Sequence, residues 1–175
     1  EDGGALLDQV SISVYGGEIV GVAAVAGNGE KELAEAIIDP GRVSAGEVLV
    51  SGKSVAGGST LQVFGRGLAY TPEDRITEGI LNDGSLTENM LLGHHEEARF
   101  VRHGVFIDWK AVRAAAEDAI ETYSVSTTGA GQSIRRLSGG NIQKMIIGRA
   151  FASAPRVLVT HNPTSGLDIR TDRKS

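Results

Sequence analysis

The apolar positions along the chain fall into blocks of different period. Residues 5–14 alternate loosely, with Leu7, Val10, Ile12 and Val14 apolar, which predicts a strand. Glu18 to Ala24 is a near-continuous apolar run, the composition of a buried parallel strand. The turn Ala26-Gly27-Asn28-Gly29 separates it from a helical pattern over Glu30 to Ile38. Glu47 to Val50 reads as a strand closed by a turn at Ser51-Gly52-Lys53, and Leu68 to Thr71 as another ending at Pro72. From about Asn82 to Arg135 the period turns helical. Leu86, Met90 and Leu91 make one apolar face; Trp109, Val112, Ala115, Ala119, Ile120 and Tyr123 make a second, with Asp108 placed as its N-cap. Ser124 to Ser133 is a linker of small residues. Asn141 to Ala152 is again helical, Pro155 lies beyond its end, and Val157 to Thr160 reads as a buried strand.

Bulk properties narrow the classes. A chain of 175 residues can bury a sizeable single core. A formal net charge of -5 argues against nucleic acid as a partner. There is no cysteine, hence no disulfide framework and no cysteine metal site. No apolar run reaches the length of a membrane span. The 24 glycines suit a fold with many tight strand-to-helix turns.

Two glycine loops carry the candidate chemistry. The first, Gly27-Asn28-Gly29, sits between strand and helix, the layout of a phosphate-binding loop. The second, Ser138-Gly139-Gly140-Asn141, opens a helix, where N–H groups and the dipole attract phosphate. On its own, each also reads as a plain turn ahead of a helix. Gly52-Lys53-Ser54 imitates the end of a phosphate loop, but Glu47 stands where the leading glycine is required and no helix follows. His94, His95 and His103 lack partners at metal-ligand spacing.

The longer strings resemble the ATP-binding-cassette (ABC) ATPases. Leu137-Ser138-Gly139-Gly140-Asn141-Ile142-Gln143-Lys144 is similar to their signature motif, in the form found in sugar and nucleoside importers. Val157 to Asp168 resembles the Walker B strand and D-loop, with Ser165, Gly166, Leu167 and Asp168 as the D-loop. Gly17-Glu18-Ile19-Val20-Gly21 through Gly27-Asn28-Gly29 resembles the Walker A segment, and Thr71-Pro72-Glu73-Asp74-Arg75 the Q-loop region. The resemblance implies a mixed α/β fold: a P-loop NTPase (RecA-like) core with an antiparallel β subdomain and an inserted helical subdomain. The core would take residues 1–82 and 134–175, the helical subdomain residues 83–133. The chain is expected to be a fragment, because the family's switch histidine would lie beyond Ser175.

Against the family pattern, several positions depart. Glu30 stands at the phosphate-binding lysine and Lys31 at the Mg²⁺-holding hydroxyl, followed by Glu32. A charge reversal at about 4 Å is worth roughly 4 kcal/mol or more at an effective dielectric near 20. A plainer reading has Glu30 and Glu32 stabilising the helix N-terminus. Glu73 stands at the Q-loop glutamine, His161 at the Walker B aspartate and Asn162 at the catalytic glutamate. Imidazole is a poor Mg²⁺ ligand, and an amide cannot accept a proton as a base. No catalytic residue is intact, while Ser138, Gly139, Gly140 and Asn141 are.

The resemblance therefore implies a second, degenerate cassette of an importer ATPase. Its signature would bind ATP held by a partner nucleotide-binding domain, often in the same polypeptide. ATP and Mg²⁺ would belong to the partner's site. Further partners would be a transmembrane permease and, indirectly, a periplasmic or lipoprotein substrate-binding protein, with the cassette peripheral at the cytoplasmic face of the membrane. Two alternatives remain: a regulatory or scaffolding module that hydrolyses nothing, and an ABC ATPase of chromosome organisation or DNA repair. The latter would place coiled-coil heptads in the helical insertion, and none are present.

Overall fold

The computed structural model describes residues 7–25, 27–55 and 57–163. The chain divides into two compact units, residues 1–68 and 69–175.

In the first unit, α1 (Glu30–Ile38) starts and stops where the periodicity placed it. Gly29, in the left-handed region at φ 99°, turns the chain into the helix. β1 (Leu49–Val50) and β2 (Lys53–Ser54) form an antiparallel hairpin with Val50 opposite Lys53. Its two turn residues, Ser51 and Gly52, both have positive φ, the backbone that matches strand twist in a two-residue turn. The Gly52-Lys53-Ser54 string is thus a hairpin turn and not a phosphate loop. α2 (Thr60–Gly65) follows, against the expectation that no helix opens after this turn; a capping box between Ser59 and Gln62 starts it. Val50, Val55 and Val63 are buried.

The strands expected over 5–14 and 18–24 do not form among the described residues. No ladder pairs any residue of 7–25. Ile12, Val14, Ile19 and Val22 are exposed, Ile19 almost completely at 97%. Apolar content records what a segment needs to be covered by. A strand also needs a hydrogen-bonded neighbour, and no described segment supplies one.

The second unit holds the larger core. β3 (Leu68–Thr71) pairs with β6 (Val157–Thr160). β6 lies where expected, but its residues are only partly buried or exposed, so the reading of a buried strand is too strong. α3 (Leu86–Leu91) opens with a Ser85/Glu88 capping box. A short hairpin, β4 (Val101–Arg102) with β5 (Phe106–Ile107), interrupts the helical stretch and was not legible in the period. α4 (Trp109–Thr122) is capped as expected. Asp108 Oδ1 accepts from the N–H groups of Lys110 at 3.2 Å and Ala111 at 3.3 Å. Trp109 is 51% exposed and leaves the apolar stripe; Ala116, unlisted in that stripe, is fully buried instead. The helix begins at Trp109, and an N-terminal side chain has no preceding turn to lie on.

α5 (Gly139–Ala152) is the hub of this core. Ile142, Met145 and Ile146 join Leu86, Met90, Val112, Ala116 and Ala119 in one cluster. α4 comes close at Gly148: a Cβ there would lie 3.0 Å from Tyr123 Cδ2 and 3.1 Å from Ala119 Cβ. Arg149 reaches past α3, donating to Asn89 O at 3.1 Å and Gly79 O at 2.7 Å. Loss of water around its guanidinium pulls its pKa down to about 10, so it stays charged at neutral pH.

Two substitutions test this packing by urea denaturation. Asp108→Ala removes both cap bonds and should cost about 1 kcal/mol. Gly148→Val forces α4 and α5 apart and should cost about 1–3 kcal/mol. An unchanged midpoint in the second would mean the two helices are not in firm contact.

Candidate functional site

The candidate residues fall into three groups. Gly27, Asn28, Gly29, Glu30, Lys31 and Glu32 lie in the first unit, at the mouth of α1. The Gly27 N–H donates to Glu30 Oε1 at 2.6 Å and the Asn28 N–H to Glu30 Oε2 at 2.9 Å. Gly27 and Gly29 both have positive φ. Such consecutive N–H groups make an anion-binding concavity. Here the anion is the chain's own carboxylate, held by charge-assisted bonds. The helix-stabilising reading of Glu30 is thereby also realised, since the carboxylate sits at the positive end of α1. Lys31 points elsewhere, 3.8 Å from Glu35 Oε1 along the helix.

Glu73, His161 and Asn162 form the second group, brought together by the pairing of β3 and β6. The His161 N–H donates to Thr71 O at 3.0 Å. Asn162 Nδ2 donates to Glu73 Oε1 at 3.1 Å, and His161 Nε2 lies 3.5 Å from Glu73 Oε2. Both oxygens of Glu73 thus face the two replaced positions, closing a small polar network. Beneath it, Thr71 Oγ1 is buried without a hydrogen-bond partner. Mg²⁺ requires near-octahedral oxygen ligation. This set offers one carboxylate engaged by an imidazole and an amide, so it does not fit that ion. Among the described residues no three histidine, aspartate or glutamate side chains converge as a metal site.

The third group is the loop ahead of α5. Ser138 is its N-cap: Oγ accepts from the Asn141 N–H at 3.4 Å and from Asn141 Nδ2 at 2.9 Å. Its hydroxyl proton is left to donate. Ser138 and Gly139 are exposed, and the N–H groups of Gly139 and Gly140 have no acceptor among the described residues. Asn141 Oδ1 also accepts from the Ser126 N–H at 2.9 Å, tying the preceding linker to this helix. This loop is therefore an exposed donor set facing outward. The first loop, by contrast, is already filled.

Two residues of the motif strings, given no role of their own in the sequence, lie close to these groups. The Arg75 guanidinium lies 3.9 Å from where a Gly139 Cβ would be. Gln143, buried at 3%, donates from Nε2 to Pro163 O at 3.4 Å. Both stand inside strings that resemble family motifs, but neither contact is encoded locally. The D-loop residues Ser165, Gly166, Leu167 and Asp168 lie outside the described residues.

Comparison with known proteins identifies the family. The pattern of the ABC transporter family matches residues 7–165. A glucose import ATP-binding protein of Haloferax volcanii is 38% identical over 169 residues, covering 93% of this chain and 30% of that protein. A ribose import ATP-binding protein of Rubrobacter xylanophilus is 38% identical over 164 residues, covering 94% and 32%. A guanosine import ATP-binding protein of Bacillus subtilis is 35% identical over 161 residues, covering 92% and 31%. The chain thus spans about a third of the length of these relatives. Among solved structures, a nucleotide-free ATP-binding cassette from an ABC transporter superposes with a TM-score of 0.68 at 22% identity, over 93% of this chain and 65% of that one. That likeness establishes the P-loop NTPase fold of the cassettes. The chain belongs to the ABC transporter family, as an ATP-binding-cassette domain.

Proposed function

We propose that this chain is a cassette of a sugar or nucleoside importer, that its own nucleotide face is inert, and that its signature loop completes an ATP site on a second cassette. The observation that carries this is the Glu30 carboxylate on the Gly27 and Asn28 N–H groups. A phosphate arriving there must displace a charged, tethered competitor and then lie beside it. The Glu73, His161 and Asn162 network supports the same reading, because its one carboxylate is already engaged by the other two side chains and an amide stands at the catalytic-glutamate position. Ser138, Gly139 and Gly140 keep their donors exposed for a γ-phosphate held elsewhere.

The relatives named as glucose, ribose and guanosine import proteins support the importer assignment. On this reading the core comprises residues 1–82 and 134–175, with 83–133 as the helical subdomain. The partners are a second nucleotide-binding domain in the same polypeptide, a transmembrane permease and, through it, a substrate-binding protein. ATP and Mg²⁺ act at the partner domain's site. The location is peripheral, at the cytoplasmic face of the membrane; no described helix is long and apolar enough to cross it.

Steady-state hydrolysis by the isolated chain should be negligible against the usual enzyme range of about 1–10³ s⁻¹. Glu30→Lys should tighten Mg-ATP binding in calorimetric titration without restoring turnover, since His161 and Asn162 remain. A large gain in rate, or no gain in affinity, would count against the role given to Glu30.

In the assembled transporter, Ser138→Arg should abolish transport-coupled hydrolysis while ATP binding at the partner falls only modestly. Glu30→Ala should leave transport largely intact. The reverse pattern would overturn the assignment.

A further inference from the structure

One cavity of the second unit is lined by residues outside all three groups. It measures about 520 Å³ and is walled by Arg113 of α4, the turn at Thr128 to Ser133, and Arg136. That is within the range of about 300–1,000 Å³ usual for small-ligand sites. Its lining holds no carboxylate, no aromatic ring and no large apolar side chain. We infer that this cavity is a binding site for a small, non-aromatic polyanion, a phosphate ester or a di- or tricarboxylate.

The donors are fixed in advance. Gln132 Oε1 accepts from Thr128 N at 2.8 Å, Thr128 Oγ1 at 2.7 Å and Thr127 Oγ1 at 3.1 Å. A backbone N–H can only donate, so this atom must be the amide oxygen. The Gln132 amide protons are then unclaimed among the described residues. The turn is itself anchored: Leu86 N donates to Gln132 O and Thr87 N to Ala130 O, both at 3.0 Å, and Ile134 N to Gly84 O at 3.1 Å. A pre-set donor group loses little entropy on binding.

The charge is uncompensated within the walls. Arg113 gives only Nε to Glu117, at 2.9 Å on the exposed face of α4, leaving both terminal nitrogens. Arg135 pairs with Asp83 at 2.9 Å, but the Arg136 guanidinium has no ion pair or hydrogen bond among the described residues. Two guanidinium groups therefore meet in a chain of net charge -5 with no acid in the same walls. Guanidinium forks match phosphate and carboxylate oxygens in pairs. The lack of an apolar anchor disfavours a protein segment, since interfaces draw their energy from buried aromatic and aliphatic anchors. Arg136 lies two residues ahead of Ser138. A bound anion spanning Arg113 and Arg136 would tie α4 to the loop that presents the signature.

The test is a ¹H–¹⁵N titration of the chain with pyrophosphate, glycerol phosphate and citrate, at constant ionic strength. Saturable shifts are expected at the Gln132 side-chain amide, the Arg113 Nε–H and the backbone of 128–133. Arg113→Gln and Arg136→Gln, both exposed and outside the core, should each raise the dissociation constant roughly tenfold or more. Arg136→Lys, which keeps the charge and loses the fork, should fall between. Preference for the phosphates or for citrate identifies the class. Shifts that do not saturate, that centre on 27–31 or 138–141, or that persist unchanged in both glutamine variants would overturn the inference.

Discussion

The second unit depends on how closely α4 can approach α5. Gly148 has no side chain, and the ring of Tyr123 and the methyl of Ala119 fill the space where one would be. That contact brings Val112, Ala116 and Ala119 onto Ile142, Met145 and Ile146. On the next residue, Arg149 ties the same helix to the carbonyls of Asn89 and Gly79. Gly79 is equally constrained, with Ile146 Cδ1 2.9 Å from its Cβ position. A charged group held by carbonyl dipoles is costly to leave unmade, so helix, turn and α3 are fixed together. The exposed loop at the head of α5 inherits that rigidity.

The two glycine loops show opposite uses of the same backbone property. Both present N–H groups at the start of a helix, where the dipole favours negative charge. At Gly27 and Asn28 those groups are satisfied by a side chain one turn away, so the attraction is spent inside the chain. At Gly139 and Gly140 they face outward, and the capping serine keeps a proton to give. What separates the two is a single residue, Glu30, which the second loop has no counterpart for: the residue after Gly140 is Asn141, whose amide bonds to Ser138.

Helices were the most legible part of the sequence. α1 runs over the span read from its period, and Asp108 caps α4 as its position implied. A helix satisfies its own backbone, so its signal is local. The strands at 5–14 and 18–24 were misread because a strand depends on a neighbour that no local pattern encodes. The β4–β5 hairpin was hidden for a related reason: each strand has two residues, too short to show alternation. At the candidate site, the identity of each altered residue was legible but its partner was not. That Glu30 turns back onto its own loop, and that Glu73 reaches both His161 and Asn162, are facts of three-dimensional closure.

The clasp between β3 and β6 also makes its side chains interdependent. Glu73, His161 and Asn162 are matched to one another, so their effects should not add. Placing an aspartate at 161 alone would set two carboxylates against each other where an imidazole now meets an acid 3.5 Å away. Changing Glu73 alone would strand His161, whose side chain is only 13% exposed, without its partner. A change at any one of the three is therefore felt by the other two, and the cluster answers as a unit when one member is exchanged.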